Sequence, residues 1–150
     1  MHVTHSTVPQ PSPHQVLVLS GPVAPADTDH LRGWCYRALT EPSGGDLVVD
    51  VRAVTAFDDA AMAALSSGRL RARHLARHLV VVDAVDGALA TSLRRTGLAF
   101  RFPRYDSPEL AAHALAAERT DRASHDLPQE ARWRAAATPA ATPAAASSGA

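Results

Sequence analysis

The chain has 150 residues, 46% of them hydrophobic, enough for one domain with a core and too few for two once its polar ends are set aside. Its 15 basic and 15 acidic residues cancel, with Arg in place of Lys throughout, so no positive excess exists to hold nucleic acid or an anionic membrane face. The single cysteine, Cys35, excludes an internal disulfide. There is no charged start with an apolar run of about 7–15 residues, and no later run near the roughly 18 residues of a membrane span, so a cytoplasmic protein without membrane insertion is expected.

Residues 1–14 mix Pro, Ser, Thr and His without sustained periodicity and read as a flexible N-terminal arm that adds at most a short edge strand at Val3 to Val8. Val16 to Leu19 is a short apolar run closed by Ser20-Gly21-Pro22, a strand ending in a turn. Asp27 or Thr28 then caps a helix whose Leu31, Trp34, Cys35, Ala38 and Leu39 share one face, stopped by Pro42 and Gly44-Gly45. Leu47 to Val51 is β-branched and continuous, the pattern of a strand covered on both faces.

A second helix is expected from about Asp58 to Leu75, with Ala61, Leu65, Gly68, Ala72 and Leu75 as a narrow inward stripe. Gly68 costs about 1 kcal/mol of helix propensity, which a close backbone approach would justify. Leu79 to Val82 is the next strand; Asp86 or Gly87 opens a helix carrying Leu89 and Leu93, and Gly97 supplies its left-handed stop with Leu98 after it. A last strand is expected within Phe100 to Tyr105. Ser107-Pro108-Glu109 then gives an N-cap, a proline at the first helical position and an acid at the positive dipole end, ahead of Leu110, Ala111, Ala114 and Leu115 on an inner face. Residues 121–150 read as a disordered Ala/Pro-rich tail, with a short helix left open for Asp121 to Arg134 and Trp133 as the one residue there suited to docking. Alternating strands and helices predict a single α/β domain over residues 15–120, with a largely parallel sheet of four to five strands and about four helices.

From Gln15 to Leu115 this pattern resembles the STAS domain family, in particular bacterial anti-sigma factor antagonists. Val16 to Gly21, Leu47 to Leu65, Leu79 to Asp83 and Leu93 to Phe102 carry the resemblance. Its centre, Asp50-Val51-Arg52-Ala53-Val54-Thr55-Ala56-Phe57-Asp58-Asp59-Ala60-Ala61-Met62-Ala63-Ala64-Leu65, is similar to the family's strand, loop and Asp-Ser-x-Gly-Leu helix start. Leu93-Arg94-Arg95-Thr96-Gly97-Leu98 is similar to the family's leucine, spacer and Gly-Leu segment. The resemblance implies a STAS-like fold and a protein partner, an ATPase-fold anti-sigma serine kinase, which in the family phosphorylates the serine at the helix start and thereby loses its hold on the antagonist. By position Asp58 matches the family's aspartate, Met62 its leucine, and Asp59 the phosphorylatable serine; Ala61 replaces the glycine.

Aspartate at position 59 offers no hydroxyl to a serine kinase, so the phosphorylation switch is expected to be absent. Two readings of Asp58 and Asp59 stay open. They are acids favoured by the helix dipole, or Asp59 is a fixed charge imitating part of a phosphate, which carries about −1.5 to −2. The candidate partner surface is Asp58, Asp59, Ala60 and Met62, with Ala24, Pro25 and Asp27 on the neighbouring loop. His74 and His78 lack further ligands, so no metal is expected, and no cofactor motif, phosphate loop or catalytic triad is visible to support an enzyme. Arg69, Arg71, Arg73 and Arg77 read as a solvated face, Cys35 as a small buried hydrophobe, and Ser66-Ser67 as a substitute phosphosite without support. The alternative reading is a small-molecule or lipid-sensing STAS-like subunit of a transport or signalling assembly. An apolar pocket open to solvent near the second helix would favour it.

Overall fold

The computed structural model describes residues 1–9, 13–42, 45–97 and 102–125. In chain order it contains β1 (His2–Val8), β2 (His14–Val23), a 3-10 turn (Pro25–Asp27), α1 (Thr28–Thr40), β3 (Asp46–Phe57), α2 (Asp59–His74), β4 (Leu79–Val82), α3 (Ala88–Thr96), β5 (Arg104–Tyr105) and α4 (Pro108–His125). The five strands form one sheet in the order β1-β2-β3-β4-β5, antiparallel at β1 and parallel elsewhere. Met1–Ala117 is one compact unit; of the second, Glu118–Ala150, the described part is the end of α4. The architecture is the α/β class expected.

The apolar run of β3 divides between two cores because successive side chains of a strand face opposite ways. Leu47, Val49 and Val51 join Leu17 and Leu19 of β2 and Leu79 and Val81 of β4 in the larger core, together with α1, α2 and α3. Val48, Val80 and Val82 face the other way and meet Ala111 and Leu115 of α4. At roughly 1.5–3 kcal/mol for each large side chain taken out of water, both faces of the strand contribute.

Past Val51 the spacing changes. Val51, Val54 and Phe57 are buried while Arg52, Ala53, Thr55 and Ala56 are exposed, a period of three in place of two. The register explains it: Val18 to Ser20 of β2 lies opposite Asp50 to Ala53, and Gly21 to Pro22 opposite Val54 to Ala56, so β3 carries one extra residue at each shift. Ser20-Gly21-Pro22, expected from the sequence to close the strand in a turn, therefore stays within β2. Gly21, at φ +78°, lets β2 stay beside the irregular β3 as far as Val23.

Other departures lie at the ends. The segment expected as a flexible arm holds its suggested edge strand of Val3 to Val8 as β1, paired residue for residue with β2 from His2↔Ser20 to Val8↔His14, and His14, placed in the arm, is a buried residue of β2. The Ala-rich run carries α4 to His125, past the expected boundary at 120, so the first residues assigned to a disordered tail are helical. Leu110, expected inward, is 55% exposed, and Ala112 joins Ala111 and Leu115 on the buried side. Gly44, Leu98, Phe100 and residues 126–150 with Trp133 lie outside the described residues.

The close approach expected at Gly68 is present. A Cβ there would come within 3.1 Å of Leu79 Cδ1 of β4 and 3.3 Å of Cys35 Cβ of α1, so α2 packs closest to both at a residue with no side chain. Burial pushes the Cys35 thiol up to about 12, consistent with a packing residue rather than a nucleophile. Arg69 and Arg71 of α2 and Arg77 beyond its end are less solvated than expected, while Arg73 is exposed. Arg69 stacks over Phe102 and Arg71 over Tyr36, while Arg77 donates to the Leu39 carbonyl near the end of α1.

Candidate functional site

Val23 pairs with Phe57, so the segments that leave β2 and β3 emerge side by side at the carboxyl edge of the parallel strands. This brings the two predicted groups together: Ala24, Pro25 and Asp27 on one, Asp58 to Met62 on the other.

Their side chains divide by role. Asp58 is the N-cap of α2, its Oδ1 accepting from Ala61 N–H at 2.7 Å. That bond commits Asp58 to the cap. Asp59 is exposed in the first helical turn, and its Oδ1 accepts from Arg95 Nη2 of α3 at 2.8 Å; the two side chains are 71% and 62% exposed. Ala60 is half-buried. Met62, expected at the partner surface, is only 4% exposed and belongs to the core, where it sits beside Ala61 and one turn before the buried Leu65. On the neighbouring loop Ala24 and Pro25 are exposed, whereas Asp27 turns back to accept from Ala24 N–H at 3.0 Å and lies 3.7 Å from the N-terminal ammonium.

Two depressions flank the Asp59–Arg95 pair. One, of about 390 Å³, is a largely apolar hollow on α2 lined by Met62, Ala63, Ser66, Thr96 and Asp59. It is the kind of pocket named above as favouring ligand sensing. The other, of about 480 Å³, is a groove between the last residues of β3, Val54–Phe57, and the start of α3, including Gly87, Thr91, Ser92 and Arg95. Asp59 lines the first and Arg95 the second, so the ion pair stands between them.

Behind the groove two further carboxylates are used structurally. Asp83, fully buried, accepts from Ala90 N–H through Oδ2 at 2.8 Å and so caps α3 from outside the helix, whose own N-cap, Gly87, has no side chain. Burial pushes the Asp83 carboxyl above its ordinary range, with the Ala90 amide opposing the shift. Asp50, 6% exposed, is held by Arg52 through Nε at 3.0 Å and Nη2 at 2.7 Å, and that bond in turn raises the guanidinium further. His74 ends α2 and His78 lies outside it, so they do not form a pair on one helical face; no cluster of potential metal ligands occurs among the described residues. No described helix is long and apolar enough to cross a membrane.

Sequence reasoning missed Arg95 and the pairing of Asp83 with the start of α3. Arg95 stands in the Leu93 to Leu98 segment already noted, yet nothing in the spacing connects it to an aspartate 36 residues earlier. Gly87 was the available signal for Asp83, since a Cβ there would overlap the Asp83 carboxylate.

A family model described as "Mlab, STAS domain" matches residues 6–100. No curated protein matches the chain. Among solved structures, an anti-sigma factor antagonist from Mycobacterium paratuberculosis is 20% identical with a TM-score of 0.58, covering 77% of this chain and 95% of that one. The anti-sigma factor antagonist SpoIIAA in its unphosphorylated form is 14% identical, with a TM-score of 0.55 and coverage of 80% and 98%. A sulfate transporter family protein from Wolinella succinogenes is 18% identical, with a TM-score of 0.54 and coverage of 68% and 84%. At these identities the structures share the fold; the family match spans most of the chain, and the chain belongs to the STAS family.

Proposed function

We propose that this STAS domain is a partner-binding regulatory protein of the anti-sigma antagonist type, acting in the cytoplasm on an ATPase-fold anti-sigma kinase. Its phosphorylation switch is replaced by the fixed charge of Asp59. The observation that carries this reading is the division of labour at the start of α2: Asp58 caps the helix, while Asp59, exposed and paired with Arg95, presents a carboxylate at the position matching the family's serine. Arg95 supplies a guanidinium at that spot, the partner a phosphate would also take, although aspartate brings one charge where a phosphate brings more. Ala24 and Pro25 extend the same exposed edge.

The test is direct binding of the wild type and Asp59→Ser to each ATPase-fold anti-sigma kinase of the source organism, with and without ATP. Wild type is expected to bind in both conditions and the Ser variant to be released by ATP. No binding by either protein to any kinase would sink the reading.

A second reading rests on the apolar hollow beside Asp59 and on the family model's description: a small-molecule or lipid-sensing subunit of a transport or signalling assembly. Native mass spectrometry of the protein with phospholipids and detergents separates the two. A retained ligand that is lost on Ala63→Trp supports sensing.

A further inference from the structure

The C-terminal halves of α1 and α2 lie side by side. Gly68 of α2 approaches Cys35 of α1, Arg71 stacks over Tyr36 at 5.0 Å, and beyond α2 Arg77 donates to the Leu39 carbonyl of α1. Tyr36 and Arg37 of α1 and Leu70 and Arg73 of α2 are exposed on the surface so formed.

Charge is segregated here in a chain whose total is zero. From Ala60 to Val82 the sequence holds Arg69, Arg71, Arg73 and Arg77 and no acidic residue. Arginines elsewhere have acids beside them: Arg32 has Asp29, Arg52 has Asp50, Arg94 has Asp86 and Arg95 has Asp59. Among the described residues, Arg37, Arg71, Arg73 and Arg77 form no such ion pair. The dipole of α2 welcomes cations in its last turn, which accounts for Arg71 and Arg73. It gives no reason to leave Tyr36 and Leu70, each more than half exposed, in water among the guanidiniums. Tyrosine and arginine together are the composition of interface centres.

The surface favours one anionic occupant over the others. Tyr36 already carries Arg71 over its ring, the place a nucleobase would stack. Two exposed apolar side chains are too few to insert as the apolar face of an interfacial helix does. Residues 126–150 of this chain hold Asp126 and Glu130 against Arg132 and Arg134, a balance that offers the patch no complement. Carboxylates of a protein pair with planar guanidiniums through both oxygens, and apolar side chains can stand beside them.

We propose that this outer face of α1 and α2 docks an acidic segment of a partner protein, with carboxylates on Arg37, Arg71 and Arg73 and an apolar side chain against Tyr36 and Leu70. Asp59 and Arg73 stand at opposite ends of α2, about 21 Å apart along its axis. The surface therefore goes beyond the reading above and needs neither Asp59 nor a kinase.

The experiment is an amide NMR titration of the full chain with the acetylated, amidated peptide Asp-Glu-Leu-Glu-Asp-Leu-Asp-Glu and with its analogue carrying Asn and Gln for Asp and Glu, at about 0.15 M salt. Saturating shifts at Tyr36, Arg37, Leu70, Arg71 and Arg73 are expected with the first, and binding about tenfold weaker or worse with the second. Arg73→Glu, at an exposed position, is expected to weaken the acidic peptide about tenfold, whereas Arg94→Glu on α3, the same change of net charge, leaves it within about twofold. Equal losses in the two variants, no saturable shifts at millimolar peptide, or shifts confined to the start of α2 overturn the proposal. So does tighter binding of phosphatidylglycerol vesicles or of a single-stranded oligonucleotide at the same salt. The same shifts on raising the protein concentration alone would assign the face to a second copy and overturn it too.

Discussion

The starts of α2 and α3 are chemically alike and differently solvated. Each helix begins at the same edge of the sheet, and in each an aspartate accepts from an amide of the first turn: Asp58 from Ala61, Asp83 from Ala90. Asp58 does so locally, half in solvent, and the charge beside it stays exposed for use. Asp83 reaches its amide from the end of β4, is fully buried, and has its carboxyl raised for that reason. The difference teaches that solvation, more than residue type or hydrogen bond, separates a carboxylate that can meet a partner from one that only holds two elements together.

The largest expected effect on this contrast comes from Gly87→Ala. The added methyl collides with the Asp83 carboxylate, and overpacking of this kind costs about 1–3 kcal/mol. A urea midpoint within error of wild type would show that the Asp83 cap is loose rather than locked. Next in size is Asp58→Ala, which removes the cap of α2 at about 1 kcal/mol, with Asp58→Ser recovering most of it. Equal losses for both variants would mean that the cap is not what stabilises this end.

Asp83→Asn keeps an acceptor for Ala90 and removes the charge, so its signature lies in pH. Because the native carboxyl is raised above the unfolded one, its stabilisation is full below the unfolded value and is lost as pH rises through the native one. Wild type is therefore expected to lose stability relative to Asp83→Asn as pH climbs out of the ordinary carboxyl range. Parallel stability curves would erase the contrast between the two helix starts. The smallest effect on folding is expected for Asp59→Ser, which breaks an ion pair exposed on both sides and worth under about 1 kcal/mol, less still in high salt. A larger loss in thermal melts would make Asp59 a structural residue like Asp83.

The helices and the parallel strands were legible because their apolar spacing is regular: Leu31, Cys35 and Leu39 on α1, Ala61, Leu65 and Ala72 on α2, and the unbroken Leu47 to Val51 are all buried. What was not legible arises where a local signal is overridden by a neighbour. Ser20-Gly21-Pro22 carries every mark of a turn, yet stays in the sheet because β3 beside it holds two extra residues. His2 to Val8 was read as an arm with at most a short edge strand at Val3 to Val8, and β2 pairs with it as an edge strand along its whole length. At the site, Asp58 and Asp59 were found through the helix start, a local pattern. Arg95 was not, since only the packing of α3 near α2 brings it within reach. Met62 was placed at the surface by motif position alone, and the structure buries it beside Ala61 and Leu65.

The sheet order β1-β2-β3-β4-β5 follows the chain without a skip, and each new strand is laid against the one made just before it. Such a chain never waits for a distant segment to complete a pairing, so loop closures stay short and native contacts can accumulate from the amino end as the polypeptide leaves the ribosome. By the time Phe57 has emerged, β1, β2 and β3 have all their mutual partners, and synthesis of the remainder adds one strand at a time to a template already formed.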